Sequence, residues 1–477
     1  MLYAHASVAE EEADKKASPA ERGTTSTSPS ATTPETRFRV MTYNLLAPSW
    51  TSPNGDHGCP EWAHKWSYRK RKILWEVLHS RADIVCFQEI EKRAYEGYFC
   101  KYLKNLGFEG VFQPPAGERP IDGFLDVGKQ RDNPVGNATF FRTSLFSPVQ
   151  VHKLEFMHLI DQLPCGTAIN KYFRSQFRTS DKQAMVLMLR VKRAVEGTHS
   201  SAPPAYLCVA NTHIYWDPTY PSIKLMQVFL LTQAIERIIT EWQRERDSET
   251  PVVIGVESKS NLGPFGFMKG FVEPGHVNLS TQVSDEYART GLRQGLNLTS
   301  AYAHVLGRID DANHDEQGDE LSSTEESQNK KRKRSKKKNK KNRKMRDDHK
   351  WEPAFTNYTP SFNGTLDYIW ISTSPFTSRP ATDGGSPKRG PGLSDAAHRQ
   401  RKEDHGGEEE NEEEEEQQDA RKQPNGIIEG TRLHVRGILE PVSKDRVRRL
   451  HPQSRTSLLS VTFPSDHFAL VCELALS

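Results

Sequence analysis

The chain has 477 residues, of which 27% are charged and only 35% hydrophobic, with 31 Gly and 29 Pro. That apolar fraction is low for a chain packed throughout, and it suits one large α/β domain carrying unfolded insertions. No run approaches eighteen consecutive apolar residues, which excludes a membrane-spanning helix. The start, MLYAHASVAEEEADKK, has the features of neither a secretory signal nor a transit peptide, and six cysteines without a C-x-x-C pair predict a reducing compartment with neither a zinc site nor a disulfide framework.

The net charge of +3 conceals an asymmetry. Between Lys330 and Arg346, 13 of 17 residues are basic; without them the chain carries 52 basic against 62 acidic residues. An opposing acidic block, Glu403 to Asp419, contains EEENEEEEE. Such runs repel themselves and bury nothing. Three unfolded segments are therefore expected: residues 1–36, rich in Ser, Thr, Ala and Pro; a polybasic insertion over 308–350; and a polyacidic one over 374–425. The folded domain is expected to run from 37 to 477 around the two insertions. The basic run is expected to act as a nuclear import address or an RNA tether.

In chain order, nine apolar runs have the length and the β-branched and aromatic content of strands: 38–46, 82–90, 137–142, 183–192, 205–214, 251–256, 366–372, 433–439 and 467–476. A helix is predicted over 67–80, with Ile73, Leu74, Val77 and Leu78 on one face. A second is predicted over 222–246, where Leu225, Val228, Leu231, Ile235 and Ile238 recur at helical spacing. Strands, helices and strands again predict an α/β or α+β sandwich, and no internal repeat is evident.

Polar residues end these apolar runs. Asn44 follows RVMTY, Glu89 follows DIVCFQ, His213 follows CVANT, Asp367 opens DYIWI, and Asp466–His467 precede FALVCEL. A carboxylate after a strand is usually a turn or cap residue, and a lone histidine is usually structural. Five such positions in succession instead point to catalytic groups held at strand ends by a rigid sheet.

The strings TYNLLAPSW, CFQEIE, NTHIYWDPTYPSIKLMQ, LNLTSAY, FTNYTPSFNGTLDYIWIS, GILEPV and FPSDHFALVCEL, in that order, resemble the endonuclease/exonuclease/phosphatase superfamily. They are most similar to its deadenylase branch, which comprises the Ccr–Not exonuclease subunit, nocturnin and the Angel proteins. The resemblance runs from Arg37 to the C-terminus apart from the two insertions. It implies a four-layer deoxyribonuclease-I-like sandwich, two β-sheets flanked by helices. It also implies a Mg²⁺-dependent (or Mn²⁺-dependent) 3′–5′ exoribonuclease acting on poly(A) or RNA 3′ ends, with mRNA-decay proteins as partners and a nuclear or cytoplasmic location. Glu89, Asn44 and Asp466 match the metal positions. His467 matches a phosphate-contacting histidine oriented by Asp367, and His213 a second phosphate donor. Pro218 and Phe362 match substrate-binding positions against a terminal adenine, while Asn137, in Gly136-Asn137-Ala138-Thr139 where deadenylases read Gly-Cys-Ala, is a minor departure still expected to donate to phosphate.

A larger departure from the family lies in one motif. Where relatives read Gly-Asp-Phe-Asn-Ser, with Asp as general base and Asn on the phosphoryl oxygens, this chain reads Gly255-Val256-Glu257-Ser258-Lys259. Valine accepts no proton, and loss of a general base typically removes ~10²–10⁴ in rate. Neighbouring residues of a strand point to opposite faces, so if 256 faces the site then 257 faces the packing side. Three functions remain open: a weakened exoribonuclease, a non-catalytic RNA-binding scaffold, and a phosphatase for a nucleotide substrate.

Overall fold

The computed structural model describes residues 35–51, 60–115, 133–162, 182–192, 204–217, 220–246, 250–257, 295–307, 352–359, 362–372, 432–450 and 458–477, together with 5–7, 177, 271–272 and 292–293. The polybasic and polyacidic insertions, Pro218 and Ser258 lie outside these residues. The described residues all belong to one compact unit, Met1–Phe376 with Thr431–Ser477; the other unit, Thr377–Gly430, lies outside them.

Two mixed sheets carry the fold. The first contains β1 (His5–Ser7), β2 (Thr36–Asn44), β3 (Ile84–Glu91), β4 (Phe108–Gln113), β5 (Val135–Arg142), β16 (Leu433–Leu439) and β17 (Leu470–Leu476), in the order β1-β16-β17-β2-β3-β5-β4. The second contains β6 (Phe146–Glu155), β7 (Gln183–Val191), β8 (Ala205–His213), β9 (Val252–Glu257), β12 (Leu298–Ser300) and β15 (Asp367–Ser372), in the order β12-β15-β9-β8-β7-β6. Two short pairs complete the set, β10 (Phe271–Val272) with β11 (Leu292–Arg293) and β13 (Asn357–Tyr358) with β14 (Asn363–Gly364).

Each sheet holds one parallel pair, β2–β3 and β8–β9. A parallel pair needs a crossover, and helices supply it: α1 (Trp66–Ser80) in the first sheet and, after the shorter α2 (Phe156–Asp161), α3 (Pro221–Arg246) in the second. The sheets face each other across an apolar interior that includes Val40, Ile84, Cys86, Leu187, Val209, Val253, Ile369 and Cys472. On the outer face of the first sheet, Ile73, Leu74 and Val77 of α1 pack with Met41, Val85, Phe87 and Phe140. On the outer face of the second, Leu225, Val228, Leu231, Ile235 and Ile238 of α3 pack with Val186, Ala210, Ile254 and Trp370. The molecule is thus helix, sheet, sheet, helix, a deoxyribonuclease-I-like sandwich.

All nine apolar runs form strands and both predicted helices form. Three details differ, and one open alternative is decided. Leu78 is 45% exposed, so the buried stripe of α1 is completed by the polar Arg69 and Glu76 instead. Strands β4 and β6 are sheet edges. In β6 Pro148 interrupts the pattern at a register shift and alternate residues face solvent, and in β4 only the two end residues are buried, so neither strand has a continuous apolar run. The third is β1, which pairs Ala6 with Ile438 inside the N-terminal stretch expected to stay unfolded; the backbone of β16 offers it an open edge.

The open alternative concerns β9. Val252, Ile254 and Val256 belong to the helix-facing apolar layer, whereas Val253 belongs to the interior between the sheets. Val256, 2% exposed, therefore faces the packing side. Of the two phases open to this strand, it takes the one that puts residue 256 on the packing side.

Candidate active site

Strand β2 ends in Asn44 and β3 in the Glu89 region, side by side because the two are parallel neighbours. Asn44 Nδ2 donates to Glu89 Oε1 at 3.0 Å, and the Ala47 N–H reaches Glu89 Oε2 at 3.3 Å. Asn44 Oδ1 accepts the Leu46 N–H at 2.9 Å, so its amide is oriented at both ends. Glu89 sits at a register shift between β3 and β5 with φ of +52°, a left-handed conformation uncommon for a non-glycine residue and typical of strained functional positions. The kink turns its carboxylate out of the strand, and His213 Nδ1 from the opposite sheet lies 3.9 Å from Glu89 Oε1.

A second group comes from β15 and the segment before β17. His467 Nδ1 lies 2.8 Å from Asp367 Oδ2, and neither side chain is more than 2% exposed. Thr356 Oγ1 accepts the N–H groups of Leu366 and Asp367, which fixes the start of β15. Asn357 Nδ2 donates to the Asp466 carbonyl and to its Oδ2, at 3.1 and 3.3 Å. The other oxygen, Asp466 Oδ1, is buried and accepts no hydrogen bond among the described residues. An orphaned carboxylate oxygen in a buried position is suited to a cation.

Two links join the groups. Ser465 Oγ donates to the Asn44 carbonyl at 2.7 Å. Arg69 of α1 donates to the carbonyls of Leu45, Leu46 and Pro464 at 2.7–3.0 Å, and also to His64 O and Thr51 Oγ1. It thereby ties the turn after Asn44 to the turn before Asp466. Burial lowers its pKa to about 10, opposed by the nearby charges of Asp466, Tyr43, Glu89 and Glu91; at neutral pH it stays cationic. Beneath the site a polar chain crosses the interior: Gln88 Nε2 donates to Thr42 Oγ1 and Asn211 Oδ1, and Asn211 Nδ2 reaches Ala138 O, Phe87 O and Thr139 Oγ1. These bonds lock the two sheets in one alignment.

Of the predicted site residues, Asn44, Glu89, His213, Asp367, Asp466 and His467 thus gather at one end of the sandwich. Asn137 is buried, and its Nδ2 donates to Gln183 O across the sheets. Phe362 is half-buried at the β13–β14 turn, against Gly364, where a Cβ would lie 2.7 Å from its ring. Val256 is packed away from the site, whereas the Cα of Glu257 is in register with both Asp367 and His213. Sequence reading missed Arg69, Gln88, Asn211 and Ser465. The available signal was a polar residue inside an otherwise apolar strand (Gln88, Asn211); nothing distinguishes Arg69 from the other basic residues of SYRKRK.

No family model matches the chain. It is 30% identical over 220 residues to the CCR4-NOT transcription complex subunit 6-like of Danio rerio, covering 46% of this chain and 38% of that protein. It is 24% identical over 369 residues to the CCR4-Not complex 3′-5′-exoribonuclease subunit Ccr4 of Yarrowia lipolytica, covering 73% and 44%. A solved structure of ANGEL2, a 2′,3′-cyclic phosphatase, superposes with a TM-score of 0.54 at 18% identity, covering 92% of this chain and 95% of that one. The chain is thus similar in sequence to Ccr4-type subunits of the CCR4-NOT complex and in fold to ANGEL2. It spans less than half the length of these two curated relatives. Among the described residues, no helix is long and apolar enough to cross a membrane, and no group of three His, Cys, Asp or Glu side chains forms a metal cluster. Mg²⁺ needs no such group, since it usually takes one or two carboxylates and keeps several waters. Glu89 and Asp466 fit that requirement.

Proposed function

We propose that this chain is a deadenylase-like 3′–5′ exoribonuclease that cleaves phosphodiester bonds at RNA 3′ ends, poly(A) foremost, with slow turnover. The observation that carries the reading is the buried Asp367–His467 pair set beside the Asn44–Glu89 pair at one end of the sandwich. A divalent cation held by Glu89 and Asp466, with Asn44 orienting Glu89, would neutralise charge on the phosphoryl oxygens.

The chain's own residues supply the rest. Asp367 holds His467 through Nδ1, which leaves Nε2 as the ring nitrogen to address a phosphoryl oxygen, and the carboxylate favours the protonated ring as negative charge develops there. His213 donates from the facing sheet. Phe362 offers a ring on which the terminal base stacks, worth ~1–3 kcal/mol. Turnover is slow because Val256, where relatives carry the base, is packed into the helix-facing layer. The same observation favours a second reading, an RNA-binding protein without turnover. The curated relatives are named for the CCR4-NOT complex, and proteins of mRNA decay are the partners we carry over to this chain.

The test is hydrolysis of 3′-labelled oligo(A) with Mg²⁺. Slow release of mononucleotide, abolished in Glu89→Ala and His467→Ala, supports the enzyme. Binding of oligo(A) without release, weakened by the same variants, supports the scaffold. No binding at all refutes both.

A further inference from the structure

Next to the candidate site, a groove of about 450 Å³ opens where the edge strands of the two sheets meet, β4 on one side and β6 on the other. Its wall is aromatic: Tyr95 and Phe112 stack with centroids 5.1 Å apart and planes 25° from parallel. Tyr95 is fixed by its hydroxyl, which donates to Gly110 O at 2.7 Å, and Phe112 remains half-exposed. Lys92 and Lys153 stand exposed at the rim. Lys92 has Glu96 3.8 Å away, while Lys153 makes no ion pair among the described residues. Gln113 Nε2 donates to Leu154 O, which ties β4 to β6 beneath the groove.

The groove begins close to the site along the chain. Lys92 follows Glu89 by three residues, a backbone span of at most about 10 Å. Gln113, beside Phe112, is in register with Asn137. A fixed aromatic pair with cationic groups beside it is the chemistry that holds a nucleobase and its phosphate without reading sequence. We propose that this groove binds a nucleotide of single-stranded RNA lying beyond the first one upstream of the scissile phosphate, its base on Phe112 and Tyr95 and a phosphate at Lys153. This rests on the reading that an RNA 3′ end enters the neighbouring site.

The probes are fluorescent phosphorothioate oligo(A) of two, four and six nucleotides, titrated by anisotropy against the full chain with Mg²⁺. The four-nucleotide probe should bind more tightly than the two. Phe112→Leu and Lys153→Ala should remove that gain, about 5- to 100-fold for the aromatic, and leave the dinucleotide unaffected. Lys153→Ala should also lower the salt slope by about 0.7, one phosphate contact. A His467-dependent dinucleotide signal with no length gain, or with a gain that both variants keep at unchanged melting temperature, overturns the groove alone. Absence of binding at every length overturns the groove together with the reading it rests on. If both variants bind RNA as the wild type does but lose a proline-rich peptide, the groove is a protein-docking site and the proposal fails.

Discussion

Asp367 and His467 stand 100 residues apart in the chain, yet Oδ2 and Nδ1 meet at 2.8 Å in a nearly dry environment. The pair is assembled by β15 of one sheet and the segment leading into β17 of the other, so it exists only when the sandwich is closed. Asp367→Asn keeps the shape but removes the charge that supports a protonated ring. Residual oligo(A) hydrolysis is expected to fall ~10²–10⁴-fold with little change in KM. Steady-state kinetics check this, and unchanged kcat would deny the pair its role.

Val256→Asp restores the residue that relatives carry, but in this chain it places a carboxylate in the layer formed with Ile254, Tyr368 and the α3 side chains. A loss of about 3–5 kcal/mol in stability is expected, with no gain in hydrolysis. Urea denaturation and the oligo(A) assay decide. A rate rise at unchanged stability would mean that residue 256 reaches the site after all.

The register of β9 gives Glu257 the backbone position between His213 and Asp367. Slow hydrolysis is therefore expected to depend on Glu257 more than on any change at 256. Glu257→Gln should lower kcat at least tenfold, whereas Val256→Ala should leave it within about threefold. Equal rates for Glu257→Gln and wild type would remove Glu257 from the chemistry.

Arg69→Lys keeps the charge but loses the planar fork that reaches the carbonyls of Leu45, Leu46 and Pro464. Buried acceptors left without donors cost roughly 1–3 kcal/mol each before relaxation, so a net loss of about 3 kcal/mol is expected. The affinity for Mn²⁺ should drop as well, because the turns carrying Asn44 and Asp466 separate. Calorimetric titration with Mn²⁺ reads this directly.

Glu76 is buried beside Tyr43, in a water-sized cavity of about 20 Å³ that His467 also lines. Burial raises its pKa from 4.5 to about 7, against smaller opposing effects of the Tyr43 hydrogen bond and Lys72. Between those values the folded chain holds a proton that the unfolded chain has released. Stability therefore falls as pH rises through that window, by up to about 3 kcal/mol. Glu76→Gln should be more stable than wild type at pH 8 and flatten the dependence between pH 5 and 7. Denaturant midpoints across that range test the sign; a parallel slope in the variant would assign the dependence to other groups.

Much of this protein is legible one residue at a time. Apolar runs of strand length mark nine strands, helical spacing marks α1 and α3, and polar residues at strand ends mark the six side chains that meet at the site. These signals are local: side chains interact first with chain neighbours, and their spacing encodes which face is buried. The edge strands β4 and β6 escape that code because the middle of β4 is only partly buried, while β6 is wetted on one face and interrupted by Pro148. Arg69 escapes it because a buried arginine is defined by its five acceptors, four of which lie 18 to 395 residues away. The phase of β9 is the clearest case. Val252 to Val256 is apolar on both faces, since one side meets α3 and the other meets the opposite sheet, so no alternation reveals which way residue 256 points. Only the pairing of β9 with β8 and β15 settles it, turning Val256 into the packing layer and leaving the backbone of Glu257 between His213 and Asp367.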